Sequence, residues 1–173
     1  VTDGGNCFNL NGLVRQEGTT LVARDIAITQ FARLMRLVGI PGQAGPGIAA
    51  ASADWIDSDE VALPNGAEDS AYRGGTTSYR TGNALMTDVS ELRAIKGMTP
   101  AIYAKLRPYI CVQPRPEPSK INVNTLLPEQ AVLIAMLLPD SLTVDRARAL
   151  LLERPAQGFS SAFEFWKLPA RSG

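Results

Sequence analysis

Between Leu21 and Val38 the apolar residues Val22, Ile26, Phe31, Leu34, Met35 and Val38 recur at steps of three and four, with Arg24, Arg33 and Arg36 between them. This pattern predicts an amphipathic helix over 21–38, stopped by Gly39 and Pro41. Before it, Cys7-Phe-Asn-Leu-Asn-Gly-Leu-Val14 reads as a short extended segment. After it, Pro41 to Gly47 is rich in breakers and reads as a linker, and Ile48 to Ile56 as a second, short helix. Residues 57 to 87 show little periodicity and many Gly, Asn, Ser and Thr residues, a long loop for a compact domain.

Periodicity returns at Val89. Val89 to Leu106 reads as helix, a turn at Gly97, and helix. A looser copy follows, in which Leu126 to Leu138 is a strongly apolar helix opened by Pro128-Glu129 and Pro139-Asp140-Ser141 is a turn. Thr143 to Leu152 is its second helix, with Thr143 or Ser141 as N-cap. A stiff linker, Pro114 to Pro118, separates the copies, and Ile121 and Val123 alternate with Asn122 and Asn124 as a short extended lead-in. Phe159, Phe163, Phe165, Trp166 and Leu168 are expected to pack the last helix into the core.

Charge changes this picture at one place. The 173 residues carry 17 basic and 17 acidic side chains, a formal charge of zero, yet no Lys or Arg lies between Leu37 and Tyr72. The same stretch holds Asp54, Asp57, Asp59, Glu60, Glu68 and Asp69. Crowded carboxylates repel one another unless a cation compensates them. The chain has no histidine, so an all-oxygen set points to calcium or magnesium, and calcium tolerates irregular geometry better. The candidate ligands are Asp54, Asp57, Asp59, Glu68 and Asp69, with Asn83 or Asp88 as additions; a solvated acidic loop without metal is the alternative. Asp57 and Asp59 open like an EF-hand, but Val61 stands at the third ligand position and no Glu at the twelfth.

The missing histidine also removes the Ser-His-Asp triad, the Cys-His dyad and the His-Glu-x-x-His helix, and no carboxylate sits in an apolar setting suited to glycosidase chemistry. No enzyme activity is expected. Neutral net charge argues against general attraction to nucleic acid or anionic membrane. The paired units are similar to helix-hairpin-helix modules, but the first has only Gly97 in its turn and the second places Asp140 where a phosphate would sit. Cys7 and Cys111 could form a disulfide, which would close a loop of about a hundred residues and stabilise by about 4–5 kcal/mol on the chain-entropy account, or be two buried thiols.

Six motifs in one order, Cys7-Phe-Asn-Leu-Asn, Asp54-Trp-Ile-Asp57-Ser-Asp, Gly66-Ala-Glu68-Asp69, Ser90 to Met98, Pro108-Tyr-Ile-Cys111 and Lys120-Ile-Asn-Val-Asn-Thr125, resemble the K-type minor pseudopilins of bacterial type II secretion systems over about residues 3–168. The resemblance implies an α+β, mainly helical fold, with a large helical domain of helix-hairpin-helix-like repeats inserted into a pseudopilin sheet. Residues 1–18 would be a sheet strand segment. Residues 19–112 would form the first helical part, with the acidic loop at about 54–88, and 113–173 the linker and second unit. The same resemblance implies one or two calcium ions held by Asp54, Asp57, Asp59, Glu68 and Asp69, and a structural role at the periplasmic pseudopilus tip beside I-type and J-type minor pseudopilins, where the tip supports pseudopilus assembly and export of folded exoproteins. The membrane anchor of such proteins is an N-terminal helix in the inner membrane of a Gram-negative bacterium. Neither that helix nor the closing C-terminal strands is recognisable here, which is what a soluble periplasmic fragment would show. An oxidising periplasm favours the disulfide. Two other readings are a calcium-stabilised scaffold or adhesion module of another surface assembly, and a helix-hairpin-helix nucleic-acid binder.

Overall fold

Two helices form the base on which the rest is laid. The computed structural model describes residues 5–74, 78–138 and 141–167. Helix α1, Asp25–Leu37, turns Ala27, Phe31, Leu34 and Met35 inward as one stripe. It ends in a glycine cap: Gly39 has φ +77°, its N–H donates to Arg36 O at 3.1 Å, and Ile40 N donates to Met35 O at 2.9 Å. Helix α2, Ala44–Asp54, packs along α1 and is buried on nearly every side. Its small residues permit this, since a Cβ on Gly45 would already touch Ala32 O and Met35 Cβ at 3.4 Å. The expected start at Ile48 is four residues late. Pro46 lies in the first turn of α2, where the missing N–H has no helical partner to lose.

The expected helix from Leu21 is also corrected at its start. Strands β2, Val14–Glu17, and β3, Thr20–Ala23, form an antiparallel hairpin with Val14 opposite Ala23 and Glu17 opposite Thr20. Gly18, at φ +61°, makes the tight turn. The β-branched Thr20 and Val22 suit the strand, and α1 begins only after Arg24. Strand β1, Phe8–Asn9, pairs in parallel with β4, Ile110–Cys111. The Cys7–Cys111 disulfide staples this short ladder across a sequence separation of 104, with Cα atoms 5.7 Å apart. The fold is α+β.

After the acidic stretch comes a single helical turn, α3, Asp69–Tyr72. The first predicted hairpin unit is a 3-10 helix at Val89–Ala94, then Gly97 at φ +85°, then α4, Pro100–Leu106, capped by the Thr99 hydroxyl. The second departs further from expectation. Leu126 to Leu138 is not one helix but a 3-10 turn at Pro128–Gln130 and a short α5, Val132–Ala135. Tight bonds such as Ala131 N to Pro128 O and Leu137 N to Ile134 O break its regularity. The turn expected at Pro139-Asp140 lies outside the described residues. Helix α6, Val144–Leu152, is capped by Thr143, and α7, Ala162–Trp166, by Ser161. Phe165 and Phe159 are buried against each other, their rings 5.3 Å apart. Phe163, at 67% exposure, and Trp166, at 43%, point outward, contrary to the expected core, and Leu168 lies outside the described residues.

Asparagines, with Asn6, Asn9 and Asn11 buried, take the place of a larger sheet. Asn9 donates to Arg115 O and Glu117 O and accepts from Gln113 N at 2.9 Å and Asn11 N at 3.2 Å. Asn11 donates to Met86 O and Gln113 O and accepts from Met86 N at 2.8 Å. Asn6 accepts from Asn122 N and donates to Thr125 Oγ1, and Asn124 pairs both ways with Phe159. The proline linker is thus tied to β1 by side chains. The lead-in at 121–125 is a turn closed by Leu126 N on Asn122 O, not an extended strand. One apolar core runs from Phe8 and Phe31, stacked at 4.9 Å, to Leu151 and Phe165. Among the described residues no helix is long and apolar enough to cross a membrane.

Candidate metal centre

The C-terminal end of α2 is buried, and its last residue is an acid. Asp54 has no exposed surface. Its carboxylate accepts from Leu63 N at 3.1 Å and Ala67 N at 2.6 Å and so fastens the following loop to the helix end. Gly66 is required by this arrangement, because a Cβ there would collide with Asp54 Oδ2. Burial pushes the Asp54 carboxyl up in pKa, against the lowering effect of the Leu63 and Ala67 amides.

Just beyond the helix the chain is moored to the hairpin. Ser58 N donates to Leu21 O at 2.9 Å, and Leu21 N donates to Ser58 Oγ at 2.8 Å. The residues on either side of Ser58, Asp57 and Asp59, thereby meet Glu68 at the start of α3, and carboxylate oxygens of the three lie within 4.8 Å of one another. Asp57 is 2% exposed and Glu68 5%. Asp59 is exposed, and its Oδ1 accepts from Val61 N at 2.7 Å.

This grouping is electrostatically unfinished. Asp57 Oδ1 and Glu68 Oε1 are buried and accept no hydrogen bond. Burial, then the charges of Asp59, Asp54 and Glu68, push the Asp57 carboxyl up to about 7. Glu68 is raised too, by burial first and then by Asp54. Buried acceptors without a donor are rare and costly. Three converging carboxylates, two of them with a bare buried oxygen, in a chain without histidine, fit a hard divalent cation.

The remaining candidates divide. Asp69 turns away, accepting from Thr81 N at 2.9 Å and from Arg73 at 2.9 Å, with Arg80 at 3.7 Å. The Thr81 amide, then Arg73, holds its carboxyl below the usual range. Asp88 caps the 3-10 helix at Val89–Ala94, accepting from Ser90 N at 2.7 Å, and stands outside the carboxylate group. Asn83 contributes backbone: its N–H donates to Trp55 O at 3.0 Å, with φ at +43°.

Residues 6–115 and 121–173 each match a family described as Type II secretion system (T2SS), protein K. The chain belongs to the type II secretion system protein K family. Among its relatives, type II secretion system protein K of Klebsiella pneumoniae is 41% identical over 170 residues, covering 98% of this chain and 52% of the relative. The Aeromonas hydrophila protein of that name is 34% identical over 165 residues, covering 92% and 50%. The chain therefore spans about half the length of the curated relatives it matches. It is also similar to a chain in the crystal structure of the GspK-GspI-GspJ complex from the enterotoxigenic Escherichia coli type 2 secretion system, with a TM-score of 0.81 and 33% identity over 97% of this chain and 56% of that one.

Two features of this protein K family member escaped the reading of its sequence. Thr81 contacts both Glu68 and Asp69. Trp55, Tyr72 and Tyr79 form an aromatic trio beside the acids, with ring centroids 5.2 to 6.1 Å apart. Trp55 adjoins Asp54 in sequence, so its proximity was legible, but the partners of Thr81 were not.

Proposed function

We propose that this chain is the helical part of a structural, non-catalytic minor pseudopilin at the periplasmic tip of a type II secretion pseudopilus. There it assembles with I-type and J-type minor pseudopilins and supports pseudopilus assembly and export of folded exoproteins. The observation that carries this reading is the likeness, along nearly the whole chain, to a chain of the GspK-GspI-GspJ complex. The Cys7–Cys111 disulfide suits an oxidising compartment. In the longer protein a membrane helix would anchor this domain to the inner membrane, and residues 1–18 would belong to the pseudopilin sheet carrying the helical parts 19–112 and 113–173. The units at 89–106 and 126–152 would serve that domain as helix-hairpin-helix-like scaffolding.

The acidic group would hold calcium, with Asp57, Asp59 and Glu68 as the ligands this chain supplies. Bound to the folded state only, calcium at a hundredfold excess over its dissociation constant stabilises by about 2.7 kcal/mol. Asp54 holds the loop that presents the ligands, and Asp69 holds α3 against Thr81.

Two experiments test the two parts. Co-expression of tagged chain with periplasmic I-type and J-type partners should yield a ternary complex on size exclusion; partners that elute together without this chain would refute the tip assignment. Thermal melts in calcium, magnesium and chelator should show a calcium-selective rise of about 5–10 °C. Superimposed melts would refute the cation assignment.

A further inference from the structure

Glu68 and Asp69 are neighbours in sequence with opposite surroundings. Asp69 faces Arg73 and Arg80, whereas Glu68 faces the carboxylates Asp57 and Asp59. Thr81 touches both. Its Oγ1 lies 2.9 Å from Asp69 Oδ1 and 3.3 Å from Glu68 Oε2, while its N–H donates to Asp69 Oδ1 at 2.9 Å.

A hydroxyl has one proton to donate, and the backbone amide of Thr81 already serves Asp69. The Thr81 hydroxyl is thus the group that can favour Glu68. With Oε2 turned to Thr81, the other oxygen, Oε1, is the buried one that accepts nothing. A glutamate has three side-chain torsions, and holding one oxygen removes most of the freedom that a ligand would otherwise lose on binding.

We propose that Thr81 is a positioning residue for the cation site: its hydroxyl sets Glu68 so that Oε1 faces Asp57 and Asp59, and it couples cation binding to the docking of residues 78–83. This rests on the cation reading given above. The coupling extends through Tyr79, which packs on Tyr72 and Trp55 and donates to Ala94 O at 2.8 Å. Residues 78–83 therefore bridge the acidic group and the 3-10 helix at Val89–Ala94. A cation that fixes Oε1 holds Oε2 in place for the Thr81 hydroxyl, and the hydroxyl holding Oε2 leaves Oε1 placed for the cation, so each event favours the other.

The test compares the 173-residue chain with Thr81→Val and Thr81→Ser. Calcium affinity is read by competition with a chelating dye, and melting in chelator reports the metal-free fold. Thr81→Val keeps shape and the amide bond to Asp69 but removes the hydroxyl, and it should weaken calcium binding about tenfold while leaving the melt in chelator nearly unchanged. Thr81→Ser should restore affinity to within about twofold, and calcium should protect the amides of 78–83 from exchange in the unmodified chain more than in Thr81→Val. Equal calcium affinity in Thr81→Val and the unmodified chain overturns the proposal. So does a loss in melting temperature that is the same in calcium and in chelator, the mark of a purely structural threonine. An unmodified chain that binds no calcium overturns the cation reading itself, an outcome distinct from both.

Discussion

The asparagine ties around β1 and the carboxylate group at the end of α2 bury polar side chains to the same depth and leave them in opposite conditions. Asn9 and Asn11 are 1% and 0% exposed, and both oxygen and nitrogen of each carboxamide are hydrogen-bonded to backbone. Asp57 and Glu68 are 2% and 5% exposed, and each has an oxygen with no donor. A carboxamide carries both donors and acceptors and can mimic a strand edge, so the asparagine region is complete within the chain. An ionised carboxylate only accepts, and three together repel. The second region is the one that a cation would complete, on the reading proposed above.

The largest expected effect breaks the complete region. Asn11→Ala leaves Met86 N, Met86 O and Gln113 O buried without their partner, and should cost about 4 kcal/mol, read as a lower urea midpoint. Because no net charge is involved, the loss should be the same in calcium and in chelator. A calcium-dependent loss would mean that the two regions are coupled and the contrast between them is false.

The next effect is confined to the acids. In chelator, burial and neighbouring acids raise Asp57 from 3.8 to about 7 in the folded chain. Between about pH 4 and 7 the folded state therefore keeps a proton that the unfolded chain has released, so stability falls as pH rises through this window, by at most about 4 kcal/mol. Glu68 and Asp54, also raised, act in the same direction. Saturating calcium should reverse the slope, since it binds the ionised carboxylates and is lost as they protonate. Denaturation at pH 5 and pH 8, with and without calcium, reads both signs.

Asp57→Asn sharpens the comparison by converting one region toward the other. In chelator the variant should be more stable than the unmodified chain, because it removes a buried charge from among like charges. In calcium it should be less stable, forfeiting most of about 2.7 kcal/mol. Thermal melts would show the crossing, and the same ranking in both conditions would remove the cation from the account.

How far each region was legible in the sequence follows from the same physics. Periodicity found α1 and α6, because their buried residues repeat at helical steps. It misjudged 21–24, where the step of three or four arises by chance inside a hairpin, and 44–47, where Gly and Pro are read as breakers although one buried helix needs small residues and tolerates Pro in its first turn. The acidic region announced itself, since charge density is a one-dimensional property. Its division into Asp57, Asp59 and Glu68 on one side and Asp69 and Asp88 on the other did not, because it depends on Arg73, Thr81 and Ser90 meeting particular oxygens. The asparagine ties were invisible for a related reason: those from Asn6, Asn9 and Asn11 to the later segments join residues 75 to 119 apart, and a carboxamide carries no mark of which partner it will pair with.

The smallest expected effect probes the boundary of the acidic region. Asp88 was a plausible ligand by charge, yet its Oδ1 accepts from Ser90 N while Glu91 Oε1 reaches back to Asp88 N at 3.1 Å, a reciprocal cap. Hydrogen bonds from Ser90 hold its carboxyl below the usual carboxylate range. Asp88→Ala should therefore lower the melting temperature by about 2–4 °C, the ordinary cost of losing an N-cap, and by the same amount in calcium and in chelator. Calcium affinity should be unchanged by the dye competition. If affinity instead fell as it does in Asp57→Asn, the cap would have to open on binding, and the acidic region would extend to the 3-10 helix at Val89–Ala94 rather than ending at Thr81.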